Sequence, residues 1–393
     1  MTDCVDFVTS CGSEIPVETR AVKTQLTGVL VLTIGVAASN LRAGDDSVVP
    51  SDREVKAVLD KGIDFLKTSQ EENGSFSPKG IAGPGVTALV AAGMLKNGVS
   101  AKEPVLARTL AYLEKQVKKD GGVYDKFLAN YTTSVAAMAF KEANTGGKYD
   151  TVLKNAAAFL KGLQFDESTT DPKHVNFGGF GYDKKSRPDM SNSAFTIEAL
   201  LAAGIPKDDP AIQNALKFIS RCQNLPGKEL NDQPFARKTT KEDKGGFVYV
   251  PDPDNKRHQT PEGGLRSVGA MTYSGLKSFL FAGVSKDDTR VKAAIDWIRK
   301  HYTLDENPGM GKAGLYYYYH TFGKAMTALG EDRFADAKGI KHAWRRELFD
   351  ALKSRQQADG SWRNQGDRTF GEGDANLATA FALLSLRFCI PEK

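Results

Sequence analysis

The sequence predicts an all-α fold in which six outer/inner helix pairs close into a ring, an (α/α)6 toroid. Three observations lead to this prediction. A short motif recurs six times, and each copy is followed by a second helix that is apolar on nearly every face. Strand patterns are scarce, and the best of them is the run at 247–250. Internal repetition of this kind indicates stacked units that bury a shared core.

The repeated motif joins the end of a helix to a glycine turn. It reads as an aromatic or aliphatic residue, Leu, three residues, Gln, three residues and Gly-x-aromatic, and the clearest copies lie at 61–76 and 351–362. The copies between them are weaker, and one is shortened. The residues at the Gln position are Gln70, Gln116, Gln164, Gln223, Tyr302 and Gln356.

The two helices of each pair differ in their surface pattern. The first carries charge on one face, as 288–300 shows, which is typical of a solvent-facing layer. The second is rich in Ala, Gly and Ser and is apolar nearly all round, as a helix buried between neighbours must be. The predicted inner helices span 86–95, 132–143, 191–204, 269–283, 318–330 and 376–388.

The repeats predict one domain, from 51 to 393. Neither terminal unit has the polar outer face of a capping repeat, so we expect the ring to be closed. The stretch at 225–266, rich in Pro, Asp, Lys and Gly, is expected to be a loop excursion from that ring.

Residues 1–50 are predicted to be a separate N-terminal signal or anchor segment. The apolar run at 26–38 follows Arg20 and Lys23 and has the length of a signal-peptide core, which is short for a membrane span. We therefore expect an exported protein or one anchored to the membrane through 26–38, with a membrane surface as a candidate partner. The alternative is a short disordered extension.

Composition and motifs exclude several classes of partner and cofactor. The net charge of +5 is spread over mixed-sign segments, and no Lys/Arg run with interleaved aromatics occurs. We therefore expect no nucleic-acid partner. No P-loop, dinucleotide glycine pattern or metal-spaced cysteine cluster stands out, so no cofactor and no metal site are predicted.

The repeats resemble the QW motifs of squalene-hopene and oxidosqualene cyclases, and the toroid is similar to that of protein prenyltransferase β subunits. The resemblance covers roughly 53–390. In that family the Gln and the aromatic residue tie one outer helix to its neighbour. The resemblance therefore implies a structural role for Gln70, Phe76, Gln356 and Trp362, and an isoprenoid-like ligand in a central cavity.

Parallel inner helices would gather their N-termini, with free N–H groups and positive dipole ends, at one mouth of that cavity. We expect residues that open these helices to line the mouth. Only one or two of the tyrosines at 316–319 can face the cavity, where their rings could hold an isoprenoid chain or a cation. The candidate site residues are Asp189, Ser191, Asn192, Tyr273, Tyr318, Tyr319, His320, Asp374 and Asn376.

Asp189 is the first candidate for proton transfer. Class II terpene cyclases carry an acidic motif after a Gly-Gly-aromatic turn, and this chain resembles them in its turn at 178–182 followed by Asp189. Ser191 stands where the family keeps its central acid, and a hydroxyl is too weak an acid to protonate an alkene. The alternative role for Asp189 is an N-cap, and the two roles can coexist. Asp374 has the equivalent position in the last repeat.

His320 is the second candidate for proton transfer. Tyr319, His320 and Thr321 are similar to the Tyr-His-Thr whose histidine binds zinc in prenyltransferase β subunits. The family's Asp and Cys ligands are absent near 268–271, and one ligand does not hold zinc. We expect His320 to be a cavity-lining donor, acceptor or general base.

Three functions stay open. The first is a terpenoid cyclase- or prenyltransferase-like protein that binds or transforms an isoprenoid or other apolar ligand, whether or not it is an enzyme. The second is a non-catalytic binding or scaffold protein on the same toroid. The third is a glycan-active (α/α)6 enzyme. A deep apolar tunnel would favour the first, a filled barrel the second and an open carboxylate-lined cleft the third.

Overall fold

The structure, a computed structural model, describes residues 48–80, 83–228, 230–254 and 256–391; the predicted signal or anchor run lies outside them. Val48–Lys393 forms one compact unit. Its outer helices are α1 (Asp52–Ser69), α3 (Pro104–Glu114), α5 (Asp150–Lys161), α7 (Pro210–Arg221), α9 (Thr289–Lys300) and α11 (Trp344–Arg355). Its inner helices are α2 (Pro84–Lys96), α4 (Ala129–Glu142), α6 (Met190–Ala202), α8 (Gly269–Phe281), α10 (Leu315–Leu329) and α12 (Ala375–Leu386).

The inner helices form a closed ring. Each packs against the next in chain order, and α12 packs against α2. Each outer helix packs on the inner helix that precedes it, and α1 packs on α12. These contacts confirm the predicted (α/α)6 toroid.

The burial of each layer follows from its sequence pattern. In α7 the buried residues recur at helical spacing, from Ala211 and Ile212 to Phe218 and Ile219, so one face packs inward. In α12 every residue from Leu377 to Leu386 is buried. An inner helix has a neighbour on each side and an outer helix behind it, so an apolar surface all round is the stable solution.

The repeated glutamines join successive outer helices. Nε2 of Gln356 donates to the carbonyl oxygen of Val58 in α1 at 3.0 Å, which links the last outer helix to the first. Gly360, in the turn that follows, has φ 85°, and a Cβ there would lie 2.3 Å from the carbonyl oxygen of Lys61. Only glycine fits this approach. Equivalent bonds of 2.8–2.9 Å run from Gln70 to Val105, from Gln164 to Ala211 and from Gln223 to Arg290.

Strand structure among the described residues is limited to Phe334–Ala335 paired antiparallel with Lys341–His342. The run at 247–250 forms no strand. Its Phe247 makes isolated bridges with Gln223 and Val268 and donates its N–H to Oγ1 of Thr272 at 3.0 Å. The β-type pattern therefore belongs to a turn that is hydrogen-bonded to α8 through Phe247. No helix of the described residues is long and apolar enough to cross a membrane.

Candidate functional site

Asp189 caps α6 at the mouth formed by the N-termini of the inner helices. The preceding turn is fastened to the helix because the N–H of Phe180 donates to Oγ of Ser193 at 3.0 Å. Oδ1 of Asp189 accepts from the backbone N–H of Asn192 at 2.8 Å, and Oδ2 accepts from Nδ2 of Asn192 at 2.7 Å. Asp189 therefore acts as the N-cap of α6, and both the backbone N–H and Nδ2 of Asn192 donate to it.

Burial changes the acidity of Asp189. The side chain is 4% exposed, and desolvation of its charged form raises its pKa from the ordinary value of 3.8 to about 6. The hydrogen bonds from Asn192 and the charge of Arg187 oppose this rise. Arg187 is itself paired with Asp252 beside the mouth. Asp189 thus holds a proton at mildly acidic pH, which an exposed aspartate does not.

Four aromatic side chains meet across the ring axis below the mouth. This aromatic floor consists of Tyr131 in α4, Phe195 in α6, Tyr317 in α10 and Phe381 in α12. The ring of Phe195 lies 5.4 Å from Tyr131 and 5.9 Å from Tyr317, and Tyr317 lies 5.7 Å from Phe381. Tyr131 and Tyr317 keep partial exposure, whereas Phe195 and Phe381 are buried. The floor therefore combines two buried rings with two tyrosines that are partly exposed.

Ser191 and two aromatic residues complete the surroundings of the floor. Oγ of Ser191 donates to the hydroxyl of Tyr317 at 3.0 Å, across the ring from α6 to α10. The insertion reaches the same place, since the carbonyl of Tyr249 accepts from the N–H of Met190 at 2.9 Å. The ring of Tyr249 lies 6.0 Å from that of Phe370, which is 39% exposed.

A charged cluster joins three consecutive inner helices inside the ring. It consists of Glu198 in α6, Lys277 in α8 and Lys324 in α10, and the two carboxylate oxygens of Glu198 each bind one lysine. The side chains are 5%, 2% and 13% exposed, respectively. Burial, followed by repulsion from Lys324, lowers the pKa of Lys277. The ring interior therefore holds two groups of side chains, the aromatic floor and this charged cluster.

His320 lies within the ring, away from the helix opening. Because α10 begins at Leu315, His320 is in its second turn, 6.0 Å from the rings of Phe381 and Phe388. Its Nδ1 has no hydrogen-bond partner among the described residues. Burial, followed by the charges of nearby lysines, lowers its pKa well below the usual range, so the ring is neutral. No contact brings His320 to Asp189.

Three of the expected mouth residues lie on the outer side of the ring. The hydroxyls of Tyr318 and Tyr319 donate to the carbonyls of Thr303 and Leu304 at 2.7 and 2.6 Å. Tyr273 packs its ring 5.6 Å from Tyr318. Successive helix positions are rotated by about 100°, so once Tyr317 faces the axis the next two tyrosines face away from it. This corrects the expectation that Tyr273, Tyr318 and Tyr319 line the mouth.

Asp374 and Asn376 open α12 at the same end of the ring. Oδ1 of Asp374 accepts from the N–H groups of Asn376 and Leu377 at 2.8 and 3.2 Å. The Asn376 side chain accepts from Oγ of Ser69 at 2.7 Å and donates to Oγ of Ser77 at 3.0 Å. Asp374 is thus an N-cap. Asn376 links the end of α1 and the turn that follows it to the last inner helix, α12.

Sequence reasoning missed much of the interior. It expected one or two of the tyrosines at 316–319 to face the axis without singling out Tyr317, and it did not consider Phe195 or Phe381. The available signal was charge: Glu198, Lys277 and Lys324 stand within otherwise apolar inner helices. Such side chains are rarely buried without partners, so they indicate a shared cluster.

Comparisons with known proteins agree with this architecture. Residues 82–238 match the family model described as the squalene-hopene cyclase C-terminal domain. No curated protein matches the chain. Among solved structures, the type II terpene cyclase MstE from Scytonema is similar, with 14% identity and a TM-score of 0.51 over 86% of this chain and 98% of that chain.

Two further structures show how widely the fold is shared. A variant of MstE in complex with its substrate geranylgeranyl dihydroxybenzoate has 15% identity and a TM-score of 0.53, covering 86% of this chain and 97% of that chain. A protein described as a novel alpha-amylase from Clostridium perfringens has 12% identity and a TM-score of 0.53, covering 86% and 99%. At these identities the structural likenesses show the fold alone.

Proposed function

We propose that the mouth at the N-termini of the inner helices binds an apolar, isoprenoid-like ligand; the match of residues 82–238 to the squalene-hopene cyclase C-terminal domain and the shared toroid fold support this proposal. The observation that carries the proposal is the aromatic floor, in which two buried rings are joined to the partly exposed residues Tyr131 and Tyr317. Aromatic faces offer apolar contact area and attract developing positive charge.

The depth of the floor limits how the ligand lies. Phe195 and Tyr317 meet inside the ring, and Glu198 binds its two lysines one helical turn further along α6. A long isoprenoid chain would therefore lie across the mouth, against Phe370 and Tyr249, and would not run down the axis. The prenylated substrate named for the MstE complex supports the choice of ligand class.

Asp189 is the group that we assign to proton transfer at this mouth. A general acid works best when its pKa lies near the working pH, and burial brings that of Asp189 to about 6. A protonated carboxyl still keeps lone pairs to accept from the backbone N–H and side chain of Asn192. His320 belongs to the buried interior and is given no catalytic role.

The proposal is tested by extracting purified protein with organic solvent, identifying bound lipids by mass spectrometry and measuring binding of geranylgeraniol. We expect an isoprenoid with the wild type and binding at least about tenfold weaker for Tyr317→Ala, since buried aromatic contacts carry a large share of affinity. Tyr318→Phe is the matched control, because it alters the neighbouring tyrosine on the outer side. Absence of a bound isoprenoid together with unchanged binding in Tyr317→Ala would rule the proposal out.

A second function, a non-catalytic scaffold, is supported by the contacts inside the ring. Phe195 and Tyr317 meet there, and Glu198 binds two buried lysines, so side chains that could line a tunnel contact one another. This function predicts a folded toroid that carries no lipid and turns over no isoprenoid in the same experiment.

We also propose that residues 1–50 direct export or anchor the protein to a membrane through 26–38. N-terminal sequencing of protein recovered from cytoplasmic, membrane and exported fractions tests this. Intact residues 1–50 on protein found only in the cytoplasmic fraction would contradict it.

A further inference from the structure

The mouth contains three carboxylates of the chain itself, each bound to the start of an inner helix. Asp189 caps α6, and Oδ1 of Asp374 accepts from two backbone N–H groups of the first turn of α12. The third helix, α10, begins after Gly314, which has no side chain to cap it, and Oε1 of Glu372 accepts from the N–H of Tyr317 at 2.8 Å instead. Three of the six positive helix ends at the mouth therefore already hold an anion.

Neutral groups take the same place at the other three inner helices. The N–H of Ala270 at the start of α8 donates to Oδ1 of Asn307 at 2.9 Å. The N–H of Asn130 at the start of α4 donates to the carbonyl of Tyr182 at 2.9 Å. The helix α2 begins with Pro84, which has no N–H to offer. Converging helix N-termini commonly bind an anion from outside, but here the chain supplies acceptors of its own.

Two of the three carboxylates are buried and charged. Asp189 is 4% exposed, and with a pKa of about 6 it is ionised at pH 8. Glu372 is fully buried, and desolvation raises its pKa. Both of its oxygens accept hydrogen bonds, one from Tyr317 and the other from Nδ2 of Asn364 at 2.9 Å, and such bonds favour the charged form.

The two buried charges act on the aromatic floor. Glu372 is bonded to the backbone of Tyr317, one of the four residues of the floor. Burial and, to a lesser extent, the charge of Asp189 raise the pKa of the Tyr317 hydroxyl to about 12. An anionic group that binds against the floor would therefore meet two like charges, and such a juxtaposition lowers affinity.

The cations of the turn before α6 offset these charges only in part. The charge of Arg187 acts on Asp189, but Arg187 is itself paired with Asp252. Lys184 and Lys185 are exposed, so solvent screens their charge. Buried charges are screened less than exposed ones, so the carboxylates dominate at the floor.

We propose that the mouth selects an isoprenoid with an uncharged polar end, such as an alcohol, and excludes an isoprenoid diphosphate. A hydroxyl end brings no charge and can donate to a carboxylate, whereas a diphosphate brings further negative charge. This inference rests on the proposed function, because it specifies the polar end of the ligand that the aromatic floor binds.

Equilibrium binding of two ligands to the full chain at pH 8 tests the inference. Geranylgeraniol and geranylgeranyl diphosphate have the same isoprenoid chain and differ in the charge of the polar end. We expect the wild type to bind the alcohol at least about tenfold more tightly, since juxtaposed like charges cost that much or more. A diphosphate that binds as tightly as the alcohol overturns the inference and leaves the proposed function standing. If neither ligand binds, both are overturned.

Variants that remove one charge assign the selection to the carboxylates. Asp189→Asn and Glu372→Gln keep a side-chain oxygen for the helix N–H groups, and each should narrow the ratio of the two affinities by roughly threefold or more. Asp209→Asn is the matched control, because Asp209 caps the outer helix α7 at the end of the ring where α6 ends, accepting from the N–H of Ala211 at 2.9 Å. It should leave the ratio unchanged. An unchanged ratio in both mouth variants would overturn the inference.

Discussion

Replacing Glu198 with alanine tests whether the charged cluster holds the ring axis together. The carboxylate, 5% exposed, is the shared partner of Lys277 and Lys324, which are 2% and 13% exposed. Its removal leaves Lys277 and Lys324 facing each other in the interior without that counter-ion. Removing one member of a buried pair typically costs about 3–5 kcal/mol. Since Glu198 serves two lysines, we expect a loss of stability near the upper end of that range.

A second ion pair of the same ring provides the matched control. Lys96 at the end of α2 pairs with Glu142 at the end of α4, and these side chains are 28% and 33% exposed. Solvent screens such a pair, so Glu142→Ala should cost less than about 1 kcal/mol. The same substitution is thus made in one ion pair that is buried and in one that solvent reaches.

Urea unfolding followed by circular dichroism measures both variants against the wild type. A shift in midpoint with an unchanged slope reports a change in stability. We also expect the triple variant Glu198→Leu, Lys277→Leu and Lys324→Met to recover most of the loss, because an apolar replacement of a buried ionic cluster is often neutral. A loss below about 1 kcal/mol in Glu198→Ala would refute the reasoning, since it would place the cluster in effective contact with water.

The remaining predictions concern a carboxyl group, an outer-helix link and a turn. The wild type should lose stability on the order of 2–3 kcal/mol as the pH rises from about 4 through 6, because the folded-state pKa of Asp189 is raised and its protonated form is favoured. Asp189→Asn, which keeps a cap, should abolish that fall and Asp374→Asn should not; an unchanged pH profile in Asp189→Asn would contradict the assignment. Gln356→Ala should lower stability by about 1–2 kcal/mol in urea unfolding, since it removes two hydrogen bonds to backbone carbonyls. The same substitution at the exposed Gln365 should leave stability unchanged. Equal losses in the two variants would show that the hydrogen bonds of Gln356 do not contribute to stability. Gly360→Ala should cost more than about 1 kcal/mol, because φ is 85° and a Cβ would lie 2.3 Å from a carbonyl oxygen of α1; a thermal midpoint equal to the wild type would contradict this.

The helix ends show which structural features can be predicted from a short stretch of sequence. Asp189 and Asp374 were weighed as caps because an aspartate precedes each apolar helix, and both cap in the structure. A cap needs only residues within one turn, so a short stretch of sequence contains all its partners. The start of α10 was placed three residues late, at 318, because the tyrosine run at 316–319 gives no cap signal. That shift is enough to move His320 from the mouth to the interior.

The contacts inside the ring cannot be predicted from local sequence. Glu198 meets Lys277 and Lys324 over separations of 79 and 126 residues, and it does so only because α6, α8 and α10 pack side by side. The cavity that Glu262 and Trp297 line is another such case, since these residues come together only when the 225–266 insertion folds back on α9. No local pattern records these distances.

The sequence by itself determined the helices, their alternation and the closed ring, because those features depend on a repeated motif and on which residues avoid water. It also oriented the outer helices, since each has one apolar face that must turn inward. It could not orient the inner helices. The apolar pattern of such a helix favours no particular rotation about its axis. Packing against both neighbours therefore decided that Tyr317 faces the centre and that Tyr318 and Tyr319 face outward. The fold was therefore readable from the sequence, and the site was not.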